Sequence, residues 1–240
     1  MKRVLLVAAS VLTAAACASV APVNDRGDVL RRIVPSTVQL RVEGANGARR
    51  AGSGVVVASD PASRRSWIVT TLHLLESTSD SLVYVSPTAR ASRLKGVVAA
   101  RSADTDLALI VIEGVALQPV AIKETTRLGE DVWVVGFPWG RRMTVVSGVV
   151  SQIASAEGEV ALEGAARMVD ASVSYGASGG GVFDSATGAL IAIVEGYRTA
   201  RVSHPTAPER VVEVPVPGET TVIAAATIRR FLSSSGIATR

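Results

Sequence analysis

Three short segments of the chain carry residue types that can do chemistry together. The first is Ile68-Val69-Thr70-Thr71-Leu72-His73-Leu74-Leu75, which places one of only two histidines just past a β-type run. A histidine between leucines, taken alone, reads more readily as a satisfied core residue than as a catalyst. The second is Ala103-Asp104-Thr105-Asp106-Leu107-Ala108-Leu109-Ile110. Asp106 opens a fully apolar strand and is therefore partly buried, and a buried carboxylate needs a partner. Asp104, in a turn-like stretch, is its solvated neighbour. The third runs Asp170-Ala171-Ser172-Val173-Ser174-Tyr175-Gly176-Ala177-Ser178-Gly179-Gly180-Gly181. Four glycines around Ser178 permit unusual backbone dihedrals and the close approach of a ligand. They also let successive N–H groups point at one spot, forming an anion-binding nest. These two segments weigh His73 towards catalysis. The other histidine, His204, lies among Ser, Pro and Thr and reads as a solvated bystander.

The elements that must position these residues are short β-runs of four to seven residues, valine-rich and separated by Gly, Pro, Ser and Asp. Thr37 to Val42, Gly54 to Ala58, Trp67 to Thr70, Leu82 to Val85, Leu107 to Ile112, Asp131 to Val135 and Leu190 to Val194 are examples. This rhythm predicts an all-β sandwich or barrel. Helical periodicity is found only at the ends. Asp28 is the expected cap of a turn holding Val29, Leu30, Ile33 and Val34, stopped by Pro35. Thr227, Ile228, Phe231 and Leu232 form a closing helix, followed by a short tail over 233–240. Ser203 to Gly218 carries four prolines and is expected to be an exposed loop with an edge strand. Trp67, Trp133 and Trp139 read as core or turn-packing residues. Arg49-Arg50 and Arg64-Arg65 read as hairpin tips, and Arg141-Arg142 as a solvated loop.

Length and composition narrow the function classes. The chain is 48% hydrophobic and 19% charged, so it can bury a substantial core and is not a disordered segment. Its net charge of +4 comes from 25 basic and 21 acidic residues, with no basic face interleaved with aromatics. A nucleic-acid partner is therefore not expected. Met1 to Ala16 has the charged start, the short apolar run and the small residues of a secretory signal. Its apolar run is too short to span a bilayer. Cys17, the only cysteine, follows directly. Two readings stand for it: an incidental residue of a plain secreted protein, or the lipidated N-terminus of a bacterial lipoprotein, whose lipobox this stretch resembles. Residues 17–27 would then be a tether, and a lipid anchor the one route to a membrane. With one cysteine the fold has no internal disulfide.

The chain order His73, Asp106, Ser178 is that of the chymotrypsin-like serine proteases. The local text resembles their HtrA/DegP branch in particular. The matching stretches are Gly52-Ser53-Gly54-Val55-Val56, Ile68 to His73, Thr105 to Leu109, Gly136-Phe137-Pro138-Trp139-Gly140, Val146 to Ser151, Gly176 to Gly180 and Thr227 to Leu232. The resemblance covers roughly Asp28 to Leu232. It implies two packed six-stranded antiparallel β-barrels, about 28–125 and about 126–232, with a short N-terminal and a C-terminal helix and the site in the cleft between barrels. It implies Ser178 as nucleophile, His73 as general base and then acid, and Asp106 as the residue that orients the ring. Gly176 and Ser178 would supply the oxyanion N–H groups. Ser172 and Val173 would line a specificity pocket that holds no acid, suited to small or medium apolar residues. A substrate strand would pair near Val194-Glu195-Gly196. The partner implied is a protein or peptide; no metal or other cofactor is required.

The sequence also departs from that family. Ala177 stands where trypsins carry aspartate and HtrA-type enzymes asparagine, so no N-terminal amine can pair there and something else must hold the oxyanion loop. Gly181 replaces a common proline, and Thr71-Leu72 before the histidine is unusual. The chain ends about eight residues after the closing helix, so a PDZ domain is not expected. Two other readings compete. Gly176-Ala177-Ser178-Gly179-Gly180 also satisfies the G-x-S-x-G pattern of esterases, though Gly179-Gly180-Gly181 is a poor helix start. A protease-like fold kept as a catalytically silent peptide-binding or scaffolding lipoprotein is the other.

Overall fold

The computed structural model describes residues 25–44, 47–75, 82–88, 92–204 and 207–238, with the backbone alone at 204 and 207–210. The leader Met1 to Ala16, Cys17 and most of the tether lie outside the described residues, as does the side chain of His204.

The valine-rich runs become strands in chain order: β1 (Thr37–Glu43), β2 (Arg49–Asp60), β3 (Arg65–Thr71), β4 (Leu82–Pro87), β5 (Leu94–Ser102) and β6 (Leu107–Glu113). There follow β7 (Thr126–Arg127), β8 (Asp131–Gly136), β9 (Thr144–Ile153), β10 (Glu163–Gly164), β11 (Ala166–Asp170), β12 (Gly181–Asp184), β13 (Leu190–His204) and β14 (Ala207–Ala224). Strands β1–β6 close one barrel in the order β1-β2-β3-β6-β5-β4, and a second closes as β11-β14-β13-β12-β8-β9. All barrel pairings are antiparallel. Helices α1 (Arg26–Ile33) and α2 (Ala225–Ser234) flank them.

Side-chain alternation explains why the strands read as nearly continuous apolar runs. In β2, Val56 points into the first barrel while Val55 and Val57 join a third core between the barrels. In β6, Ala108, Ile110 and Ile112 fill the first barrel, and Leu107 and Leu109 face the shared core. In β13, Ile191, Ala192 and Val194 fill the second barrel while Leu190 and Ile193 join the seam. Strands covered on both faces lose their polar alternation. Helices α1 and α2 add Val29, Ile33, Ile228, Phe231 and Leu232 to the same seam. Each such side chain contributes roughly 1.5–3 kcal/mol of burial. The two barrels are therefore packed as one body, and the cleft between them is fixed.

Three local expectations are corrected. Asp25, not Asp28, caps α1, its carboxylate accepting from the Gly27 N–H, while Asp28 sits inside the first turn and pairs with Arg31. The proline-rich stretch carries the edge strand expected, but less loop: from Ala207 on it is the returning arm of a long β13–β14 hairpin, and residues 205–206 lie outside the described residues. Pro215 and Pro217 are accommodated because β14 pairs β11 only at Thr220 and Thr221, so the outer edge of the arm has no ladder bond to lose there. Trp139 is not a packed residue: it is 64% exposed. Trp67 and Trp133 do pack against the seam, with Arg26 over the Trp133 ring.

A buried ion cluster fastens the inter-barrel linker. Lys123 donates to Asp184 at 2.7 Å and to Glu130, whose side chains are 6% and 12% exposed. Burial would raise the Asp184 pKa, but hydrogen bonds from Lys123, Ala186 and Thr187 outweigh it and hold the carboxyl at about 2 against an ordinary 3.8. Its stabilisation is therefore present above about pH 3.8 and lost as the pH falls through about 2. We expect Lys123→Met to cost about 3 kcal/mol, because it strands two carboxylates with little solvent. Urea denaturation checks this. Thermal melts between pH 4 and pH 2 should lose less stability in Asp184→Asn than in the native chain.

Candidate active site

His73 sits in a single 3-10 turn, Leu72–Leu74, that ends β3. The turn is fixed to the start of β6 by three bonds. The Leu72 N–H donates to the Asp106 carbonyl at 2.9 Å, and the His73 N–H to Asp106 Oδ1 at 2.8 Å. The ring joins through Nδ1, 2.7 Å from Asp106 Oδ2. A carboxylate only accepts, so Nδ1 carries the proton of this bond. Asp106 adopts φ +52°, a left-handed conformation that aspartate tolerates better than most residues. The Asp106 side chain is 24% exposed against 43% for His73, so the carboxylate is the shielded partner. Asp104 is exposed, as expected.

The loop that carries Ser178 hangs from β2. Ser53 is fully buried; its N–H donates to the Ser178 carbonyl at 2.9 Å and its hydroxyl to the Gly176 carbonyl at 2.9 Å. The same hydroxyl accepts the Phe137 N–H at 2.8 Å, and the Ser53 carbonyl accepts from Thr70 Oγ1 at 2.7 Å. Three residues earlier on the same strand, Arg50 Nη1 donates to the His73 carbonyl at 2.9 Å. One strand thus anchors both the histidine turn and the serine loop. A Cβ on Gly179, at φ +77°, would lie 2.1 Å from the Ser53 carbonyl oxygen, so only glycine lets the loop seat there.

Two peptide groups of this loop are tied from behind. The Tyr175 carbonyl accepts from the Trp139 N–H at 2.7 Å, and the Ala177 carbonyl from the Gly180 N–H at 2.7 Å. In a trans peptide the N–H points opposite to the carbonyl. The amides of Gly176 and Ser178 are thereby turned away from these anchors, and neither donates to an acceptor among the described residues. Two fixed, unspent N–H groups beside a serine can receive an oxyanion. The Trp139 ring lies 5.5 Å from that of Tyr175, and Gly176 at φ +89° leaves room for the turn, since a Cβ there would lie 2.8 Å from Trp139 N.

The Trypsin-like peptidase domain family matches residues 52–193, which begin at the Gly52-Ser53 anchor and end in β13. The chain belongs to the trypsin-like peptidase family. It is 26% identical over 170 residues to the serine endoprotease DegS of Salmonella typhimurium, covering 65% of this chain and 44% of that protein. The chain thus spans less than half the length of that relative. Its fold is similar to the crystal structure of the serine endoprotease from Yersinia pestis, with a TM-score of 0.66, 21% identity, and coverage of 88% of this chain and 66% of the other.

Ser172 and Val173 line a cavity of about 370 Å³ with Val134, Pro138, Val146 and Ala177, and no charged side chain borders it. Val194 departs from expectation. Its N–H donates to Gly180 and its carbonyl accepts from Gly179, so neither is left for a substrate strand. The open edge begins at Glu195, bulged out between Val194 and Gly196. Ser53 was given no role by sequence reasoning, although a serine between two glycines at the head of a valine run was its signal.

Proposed function

We propose that this peptidase-family chain is a serine endopeptidase acting through Ser178, His73 and Asp106. The observation that carries the reading is the ring of His73 locked on Asp106 while β2 ties its turn to a serine loop with two unspent amides. His73 Nε2 takes the Ser178 hydroxyl proton as Oγ attacks the scissile carbonyl. Oxygen gains negative charge and is held by the Gly176 and Ser178 N–H groups. The tetrahedral adduct expels the amine, which receives the proton from His73, leaving an acyl-Ser178 ester. Water then repeats the sequence and frees the acid. Asp106 keeps Nδ1 protonated throughout and stabilises the imidazolium.

The uncharged cavity at Val134, Val146 and Val173 supports small or medium apolar residues before the cleaved bond. The open β13 edge from Glu195 supports substrates presented as extended strands, hence exposed or unfolded segments of proteins. With the leader and Cys17, we place the enzyme outside the cytoplasm of a bacterium, tethered by lipid. Digestion of an unfolded protein, with cleavage sites mapped by mass spectrometry, tests the reading. Cuts should cluster after Ala, Val, Leu or Met and avoid Lys, Arg and Asp. Cuts predominantly after basic residues would contradict it.

A further inference from the structure

The cleft has a second end, away from the edge at Glu195. The nucleophile loop is bounded on one side by Val194, which binds Gly179 and Gly180, and on the other by the turn at Trp139, which binds Tyr175. A chain that pairs with the β13 edge and passes Ser178 must leave towards that turn. Beyond it opens a cavity of about 300 Å³ bordered by Arg41, Arg49, Arg93, Glu43, Ala51 and Trp139. Ala51 directly precedes the Gly52-Ser53 anchor, and Gly140 packs against it so closely that a Cβ would lie 2.3 Å away. The cavity is continuous with the frame of the site.

Its charge is one-sided. Three guanidinium groups face a single carboxylate, and the one ion pair there, Arg49 to Glu43, is loose at 3.9 Å with Arg49 81% exposed. Arg41 and Arg93 make no ion pair among the described residues, nor do Arg141 and Arg142 just past Gly140. The Arg141 carbonyl accepts from Gln39 Nε2 at 3.1 Å, which fixes this turn on β1. A whole-chain charge of only +4 makes such a concentration local rather than general. Free arginines offer paired N–H donors that match carboxylates. The exposed rings of Trp139 and Tyr175 supply the flat apolar surface that peptide contacts favour.

We propose that this end of the cleft selects acidic segments on the leaving-group side, with Asp or Glu about two to four residues after the cleaved bond. The proposal rests on the reading of Ser178 as nucleophile. A peptide is favoured over an anionic lipid surface because the cavity is bordered by Trp139, whose N–H holds the Tyr175 carbonyl beside Gly176.

The test uses the purified protein and peptides identical up to the cleaved bond, followed by Ala-Asp-Glu, Ala-Asn-Gln or Ala-Lys-Lys. An activated ester of the same acyl part, with nothing after the bond, is run beside them. At 50 mM salt, kcat/KM for the acidic peptide should exceed that for the amide peptide about tenfold, from two or three exposed ion pairs. The ratio should fall to about two at 0.5 M salt, where the Debye length shortens to a few ångströms. In the double variant Arg41→Glu, Arg93→Glu the order of the acidic and lysine peptides should invert. Equal rates for acidic and amide peptides, with the ester hydrolysed, would overturn the proposal and leave the protease reading standing. An inert ester would overturn both. Loss of binding to phosphatidylglycerol vesicles in the double variant, with an unchanged peptide ratio, would assign the arginines to a membrane and overturn it too.

Discussion

Asp106→Asn should lower kcat by about 10⁴-fold and leave the protein folded. The carboxylate uses both oxygens, one on the His73 N–H and one on Nδ1. Asparagine keeps one oxygen and presents an amide NH₂ in place of the other. If the oxygen stays on the backbone N–H, the NH₂ faces Nδ1, which must then accept. The proton moves to Nε2, where it faces the serine and removes the base. Asparagine tolerates the left-handed backbone at φ +52° about as well as aspartate, so the turn persists. Steady-state kinetics beside a thermal melt separate these effects. A rate within tenfold of the native enzyme would remove Asp106 from the chemistry. A collapsed melt would instead make it a structural residue.

Much of this geometry was readable along the chain, because it is written in local residue types. Asp106 had to find a partner because it opens an apolar strand, and its partner is one strand away in the β3–β6 pair. Gly179 had to be glycine for a reason its neighbours cannot state: the clash is with Ser53, more than a hundred positions earlier. The same distance hid the role of Ser53 itself, whose bond to Gly176 spans 123 residues. The sequence shows that Ala177 leaves the loop at Ser178 without the polar side chain usual in the family it resembles. It does not show that backbone donors do the holding, Trp139 N–H at one end and Gly180 N–H at the other, since an N–H carries no residue signature.

The misread elements have related causes. Prolines in β14 suggested a loop, but a proline harms only a strand whose N–H is needed, and pairing partners are a tertiary matter. Trp139 reads as a packing residue from its type. Its φ of +56° and its place on the turn that carries Gly140 push the ring outward onto Tyr175 instead. Val194 was one residue off the open edge because the bulge at Glu195 shifts which backbone groups face the cleft. Conversely the N-cap error at Asp28 is small: two aspartates, Asp25 and Asp28, were within reach of the start of α1, and only geometry picks Asp25.

The central claim is that Ser178 is an activated nucleophile, and its largest expected effect follows directly. Ser178→Ala should reduce peptide hydrolysis by about 10⁶-fold, since every later step needs the acyl-serine. The most direct measurement is reaction of the purified protein with a fluorophosphonate, which phosphonylates a serine oxygen whose proton a base has taken. Tryptic mapping should place the adduct on the peptide containing Ser178. The label should vanish in Ser178→Ala and in His73→Ala, with all three proteins folded by circular dichroism. Absence of labelling in the folded native protein, or an adduct on any serine other than Ser178, would contradict the account.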